Sequence, residues 1–159
     1  MRCIIREPTP ADAPALIALV RHLTREESGR DSRLTPAHLA EECFGPTPRF
    51  RVLLAEHAGR ALGYASFHRS YDTDHAAKGL YLQDLYVEPH VRRQGIGRAL
   101  LAAVARACQA DGGCYLFWNA LTNNAAGRAF YRRIGAREEP VVTLTLQPDA
   151  LERLARDFS

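Results

Sequence analysis

The residues best equipped for chemistry lie between Leu85 and Arg98, where an apolar run ends at Val87 and the chain turns through Gly95 and Gly97. A helical pattern starts at once, near Ile96. Glycine lets the backbone approach a ligand with no Cβ in the way. The first-turn N–H groups of a helix then converge with the positive end of its dipole. That combination suits a phosphate or diphosphate, and Arg92, Arg93 and Arg98 bring positive charge to the same place. A Walker loop needs Gly-Lys followed by Ser or Thr, whereas Gly97 is followed by Arg98 and Ala99. A dinucleotide fingerprint needs a third glycine, and Leu100 stands there instead. On the residues alone, the competing reading is a glycine-rich helix start with solvated arginines.

The elements that must position this turn emerge from periodicity and breakers. Cys3 to Arg6 is a short strand, and Thr9-Pro10-Ala11-Asp12 opens a helix with an N-cap, a proline at the first position and an acid at the third. Ala13, Leu16, Leu19, Val20 and Leu23 give that helix an apolar face, and Glu26 to Arg33 reads as a loop. Thr35-Pro36 opens a second helix ending near Gly45. Phe50 to Glu56 and Ala61 to Phe67 form a hairpin, Ser70 to Lys78 is a polar stretch, and Leu80 to Val87 is a central strand. A helix from Ile96 stops before Gly112-Gly113, and Cys114 to Trp118 is a buried strand. Ala125 to Ile134 is helical, Val141 to Leu146 alternates as a further strand, and Pro148 opens a last helix through Leu151, Leu154 and Phe158. The expected architecture is a mixed α/β fold: one domain, residues 1–159, with a mixed central sheet of about six to seven strands and helices on both faces.

Composition removes several function classes. The 159 residues are 47% hydrophobic and 25% charged, which places the chain among single soluble domains rather than disordered segments. The longest uncharged run, Gly112 to Gly127, holds Asn119, Thr122, Asn123 and Asn124 and is no membrane span. With no leader pattern at the start, a cytoplasmic protein is expected. The net charge of +3 sits on dispersed arginines and argues against nucleic acid as partner while allowing a small anionic ligand. Cys3, Cys43, Cys108 and Cys114 lack metal-ligand spacing and read as reduced, mostly buried thiols; no metal is expected.

Four separated blocks carry a resemblance. Arg92-x-x-Gly95-x-Gly97 after a strand is similar to the [QR]-x-x-G-x-[GA] signature of the GNAT N-acetyltransferase superfamily. Tyr81-Leu82-Gln83-Asp84-Leu85-Tyr86-Val87, Asn124-Ala125-Ala126, and Phe130-Tyr131 followed by Gly135-Ala136 resemble its diamine, spermidine/spermine-like branch. The resemblance implies acetyl-CoA as co-substrate and a small-molecule primary amine as acceptor. Backbone groups of Leu85, Tyr86 and Val87 would pair with the pantetheine arm. Arg92, Arg93, Gln94, Gly95, Ile96, Gly97 and Arg98 would cradle the diphosphate. Asn124 would contact the pantetheine or phosphate end, and Tyr131 would act as general acid. It also implies a homodimer built with the last strand and helix.

One departure matters. The branch carries a glutamate where Gln83 stands, and glutamine takes no proton at any relevant pH. Asp84 is next along, but strand alternation sends it to the opposite face unless a bulge intervenes. Glu26, Glu27, Asp72 and Asp74 are further carboxylates able to receive an amine, and His68 and His75 are candidate bases. Acetylation of a protein N-terminus or lysine is the alternative within enzymes. A non-catalytic acyl-CoA-binding module is the alternative outside them.

Overall fold

Asp12 shows how the N-terminal elements are joined. Its carboxylate accepts from the Thr9 amide at 2.7 Å and the Thr9 hydroxyl at 2.9 Å, closing a single 3-10 turn that leads into the first helix. The Arg6 guanidinium donates to the same carboxylate at 2.7 and 2.8 Å and to Glu56 at 2.7 Å. In the computed structural model, which describes residues 3–157, the elements are β1 (Ile4–Arg6), α1 (Ala13–Ser28), α2 (Pro36–Glu42), β2 (Arg51–His57), β3 (Arg60–Asp72), β4 (Ala77–Val87), α3 (Ile96–Ala110), β5 (Tyr115–Phe117), α4 (Ala125–Arg133) and α5 (Pro148–Arg156). The chain falls into two units divided between Asn119 and Ala120; the first holds the sheet with α1 to α3, the second α4 and α5.

The sheet has the order β1-β2-β3-β4-β5, antiparallel throughout except for the parallel β4–β5 pair. On one face, Ala13, Leu16, Ile17 and Leu19 of α1 and Leu39 of α2 pack with Val52, Leu54, Tyr64 and Tyr86. Strand alternation turns Leu53, Ala55, Ala65, Phe67, Leu80 and Leu82 the other way. All six are buried, and α3, with Leu100, Leu101, Val104 and Cys108 buried, packs against β2, β3 and β4. The expected mixed α/β fold is present.

Strand β4 is irregular on both of its edges. Its pairing with β5 covers only Gly79–Tyr81 against Tyr115–Phe117, so from Leu82 to Val87 that edge of β4 has no partner strand among the described residues. Gly79 makes the close pairing possible, since a Cβ there would run into the Tyr115 ring. On its other edge β4 pairs with β3 along its full length, with one register shift. Ser66 faces Asp84 while Phe67 faces Leu82, so Gln83 is the extra residue of a β-bulge.

The structure corrects several expected boundaries. Helix α1 continues through Glu26 and Glu27 to Ser28 and stops at Gly29, whose φ is 68°; no residue before Gly29 breaks a helix, and glutamate favours one. The polar stretch from Ser70 belongs to the hairpin: Tyr71 faces Lys78 and Asp72 faces Ala77. Asp72 closes its turn by accepting from the Asp74 amide at 2.9 Å and the His75 amide at 3.3 Å. Cys108 is the buried thiol; Cys3 and Cys43 are half-buried and Cys114 is exposed.

In the second unit, Asn124 caps α4 by accepting from the Gly127 amide at 2.9 Å, and Glu138 pairs with Arg128 at 2.7 Å and Arg132 at 2.9 Å. The sheet has five strands rather than six to seven, because Val141–Leu146 is not a strand. Val142 is 84% and Leu144 88% exposed, so the alternating apolar residues are not buried. Phe158 lies outside the described residues.

Candidate active site

The turn after β4 presents an unusual run of free donors. Val91 and Arg92 donate their main-chain N–H groups back to Glu88 and Pro89, and the first bond of α3 is Ala99 N–H to the Gly95 carbonyl at 3.0 Å. Between them, the N–H groups of Arg93, Gln94, Gly95, Ile96, Gly97 and Arg98 have no protein acceptor among the described residues. Left-handed φ values at Arg93 (61°) and Gly95 (86°) curl this backbone, and a Cβ added at Gly95 would project into open space. Successive amides in such a curl, joined to a helix N-terminus, form an anion-binding concavity.

Arg92 is engaged otherwise than its neighbours. Its Nε donates to the Val87 carbonyl at 2.8 Å, and its guanidinium holds Glu26 through two bonds of 2.9 and 2.6 Å. The guanidinium also lies 5.6 Å from the centre of the Tyr86 ring. Arg92 therefore ties the turn to α1, while Arg93 and Arg98 remain exposed without ion pairs among the described residues. Tyr86 is buried, and its hydroxyl, donating to Glu88 at 3.3 Å, is pushed up to about 12, by burial first and then by the Glu88 charge.

A cavity of about 600 Å³ opens on the sheet face covered by α1. Leu16, Val20, Leu34, Phe50 and Val52 give it apolar walls. The sheet contributes the polar residues Tyr64, Ser66 and His68, successive same-face positions of β3, with Gln83 and Asp84 of β4. The bulge resolves the alternation problem, since two sequence neighbours that a regular strand would separate now line one cavity. Asp84 Oδ2 accepts from the Ser66 hydroxyl at 2.8 Å and the Tyr64 hydroxyl at 3.2 Å, leaving Oδ1 without a hydrogen bond among the described residues. Burial raises the Asp84 pKa against the pull of those two hydroxyls. Tyr64 is itself driven up by burial and by the Asp84 charge, so both hydroxyls remain donors. Glu27, near the end of α1, is raised by burial, then by the charges of Asp84 and Glu26, which places a second carboxylate within electrostatic reach.

The remaining expected site residues are spread over four places. Leu85, Tyr86 and Val87 occupy the unpaired edge of β4. Asp72 and His75 pair at 2.8 Å in the β3–β4 turn and do not line the cavity. His68 does line it, its ring centre 5.1 Å from that of Tyr81 and its Nδ1 3.2 Å from the Arg69 carbonyl. In the second unit, Asn124 spends its side-chain oxygen on the helix cap, and Tyr131 is half-buried with its ring centre 5.3 Å from that of Phe130. Sequence reasoning missed Tyr64, Ser66, Arg33, His38 and Arg49 as cavity residues. The legible signal was the period-two run of Tyr64, Ser66 and His68 on one face of an otherwise apolar strand.

Comparison with known proteins fits this geometry. The sequence model of the acetyltransferase (GNAT) family matches residues 16–136. Thialysine N-epsilon-acetyltransferase from Sus scrofa is 30% identical over 145 residues, covering 85% of this chain and 84% of its own. Spermidine/spermine N(1)-acetyltransferase-like protein 1 from Homo sapiens is 30% identical over 133 residues, 76% of this chain and 19% of its own. In fold, an integron cassette protein from the mobile metagenome of V. cholerae superposes with a TM-score of 0.81 at 23% identity, covering 99% of each chain. The family match takes in the curled turn, the bulged strand and Tyr131, and with these relatives it makes the chain a member of the acetyltransferase (GNAT) family, an N-acetyltransferase akin to the spermidine/spermine-like branch.

Proposed function

We propose that the chain binds acetyl-CoA along the unpaired edge of β4 and the curl behind it, and acetylates a primary amine of a small molecule held in the cavity. The carrying observation is the run of six partnerless amides, Arg93 to Arg98, at the end of a strand whose edge is open from Leu82. The amides fit a diphosphate, with Arg93, Gln94 and Arg98 around it. The main-chain groups of Leu85 to Val87 fit the amide-bearing pantetheine arm. Asn124 retains its side-chain N–H donors for the same ligand. When bound, the thioester supplies an activated acyl carbon. The chain's own residues must then bring in a neutral amine and manage two protons.

An alkylamine with a pKa near 10.4 is only about 0.05% neutral at pH 7, a cost of roughly 4–5 kcal/mol. Asp84 Oδ1 anchors the incoming ammonium. His68, its Nδ1–H turned to the Arg69 carbonyl, keeps Nε2 as the acceptor that takes the amine's proton. The amine nitrogen bonds to the acyl carbon as the carbon–sulfur bond breaks; the sulfur leaves with the proton of the Tyr131 hydroxyl, and the second proton that the nitrogen sheds on becoming an amide restores that hydroxyl through solvent. No covalent enzyme intermediate is needed. Residues 1–159 act as one cytoplasmic N-acetyltransferase domain, working as a homodimer, for which exposed Val142, Leu144, Leu151 and Leu154 are the apolar surface.

Screening amines with acetyl-CoA and reading free-thiol release tests the activity. Gly95→Val tests the placement. A β-branched residue is strained at φ 86°, which disrupts the curl that groups the amides, so coenzyme A binding measured by calorimetry is expected to vanish. Undiminished binding by that variant would overturn the diphosphate site.

A further inference from the structure

Ser66, at 5% exposure, is the one buried side chain outside the apolar and aromatic set among the described residues. It stands directly opposite Asp84 across β3 and β4, and Tyr64, 1% exposed, comes two residues earlier on the same face. Both hydroxyls are spent on one atom: Asp84 Oδ2 accepts from Ser66 at 2.8 Å and from Tyr64 at 3.2 Å. No cation pairs with Asp84 among the described residues, although a carboxylate withdrawn from water ordinarily needs one. No buried side-chain oxygen lacks a hydrogen bond among the described residues, so Oδ1, which has none, is open to the cavity. The Tyr64 ring is held in the core beneath α1 and α2, so its hydroxyl approaches from a fixed direction. The bulge at Gln83 turns Asp84 to meet both donors.

We infer that Ser66 and Tyr64 are positioning residues for acetyl transfer: by holding Oδ2 they fix the Asp84 carboxylate as an anion with Oδ1 turned to the ammonium of the acceptor. This deepens the proposed function and rests on reading Asp84 as the ammonium's anchor. A carboxylate without a cation stays ionised through donors that stabilise its charged form. Serine and tyrosine supply them without charge, so the attraction of the anion is left for the substrate, whereas an arginine in their place would neutralise it. Two donors on one oxygen also stop the carboxylate turning, which presents the other oxygen in one direction. The fold alone does not ask for them, since apolar side chains at these positions would leave no donor to satisfy. The other titratable and charged groups around Asp84 are Glu27 of α1, His38 of α2, His68 of β3, and Arg33 and Arg49 on the segments beside α2. None of them hydrogen-bonds to Asp84 among the described residues. Burial raises the Asp84 pKa, and the Ser66 hydroxyl, then the Tyr64 hydroxyl, draw it back. Removing either hydroxyl therefore lets the proton on at a higher pH.

The test follows the carboxyl carbon of Asp84 by NMR in the full chain, its signal identified by its loss in Asp84→Asn, alongside turnover and calorimetric binding of cadaverine, a plain diamine. In Ser66→Ala the titration is expected to move toward neutral pH, and in Tyr64→Phe to move less. Ser66→Thr keeps the hydroxyl and should return it to the parent position. The KM for cadaverine in Ser66→Ala should stay within about threefold of the parent above the titration and rise to about tenfold over it below, while the KM for acetyl-CoA follows the parent. A titration unmoved in both variants overturns the inference. So does a titration that moves while the cadaverine KM keeps the parent's pH profile, and either result leaves acetyl transfer standing. A rise in both KM values alike, together with a lower melting temperature, reduces the two hydroxyls to packing and also overturns it. If the parent releases no thiol, the acetyl-transfer reading falls; cadaverine binding that weakens along the shifted titration still supports the positioning role, and binding that ignores it overturns that role.

Discussion

Glu26 and Arg92 face each other through a two-bond carboxylate–guanidinium pair, 2.6 and 2.9 Å long, that fastens the last turn of α1 to the turn following β4. Glu26 lies on the helix whose Leu16 and Val20 line the cavity, and Arg92 leads into the run of free amides, so in the proposed function the pair sets the two binding regions against each other. Both side chains are nearly half exposed, so the pair contributes only about 1 kcal/mol or less to stability. Its effect should fall on ligand geometry. Glu26→Gln is expected to raise the KM for acetyl-CoA severalfold with a small change in kcat and a melting temperature within about 3 °C of the parent. A variant with normal KM would make the pair a surface contact only.

In the proposed function Tyr131 is the proton donor to the departing thiolate. Tyr131→Phe keeps the ring and removes the proton, so kcat should fall by about 10²–10³ while the dissociation constant for coenzyme A stays the same. Turnover at the parent rate would remove the assignment. Because thiolates of low basicity need less help, the deficit should shrink when the acyl donor has a more acidic thiol.

Much of the fold was legible because its signals are local. Thr9 to Asp12 and Thr35-Pro36 are helix starts that depend on neighbouring residues, and both are present. The strand–turn–helix around Gly95 was readable for the same reason. What was hidden depends on pairing at a distance. The bulge at Gln83 arises from the register between β3 and β4, and nothing in Tyr81 to Val87 alone announces it. That bulge decides which residues line the cavity. Arg92 illustrates the same limit: a cation beside a phosphate-binding turn reads as a ligand until Glu26, 66 residues earlier, is seen to hold it. Val141 to Leu146 shows the converse, where alternation predicts a strand and the segment is irregular and exposed.

That exposed segment supports a prediction about assembly. Val142, Leu144, Leu151 and Leu154 are each more than half exposed, a costly amount of apolar surface if left in water. Leu144→Glu should convert the proposed dimer to monomer in light scattering without lowering the melting temperature of isolated chains. A monomeric parent protein would discard the dimer.

Asp12 predicts an acid-side loss of stability. Its bonds from Arg6 and Thr9 hold its pKa well below the ordinary carboxylate range. The native state therefore binds fewer protons than the unfolded chain at mildly acid pH. The stabilisation is complete above the unfolded pKa and is lost as pH falls through the native value. Asp12→Asn is expected to cost about 1 kcal/mol at pH 7, allowing for the partial exposure of Arg6, and to lose less on acidification than the parent. Parallel melting curves against pH for the two proteins would refute it.

Asp84 has the opposite sign, and its proton bears on function. Burial raises its pKa, so the native protein takes up this proton at a higher pH than the unfolded chain does, near 3.9. Between those two values the native state binds more protons, and stability declines as pH rises across the window. Asp84→Asn should remove that slope. The same proton neutralises the proposed anchor of the ammonium, so the KM for the amine should climb as pH falls through the raised native value. In Asp84→Asn the KM should be about tenfold higher at pH 7 and nearly flat on the acid side. The KM for acetyl-CoA serves as the internal control, since Asp84 lines the acceptor cavity and lies outside the run of free amides. If acidification weakens both substrates equally in both proteins, the carboxylate that titrates is another one, and the cavity binds its amine without Asp84.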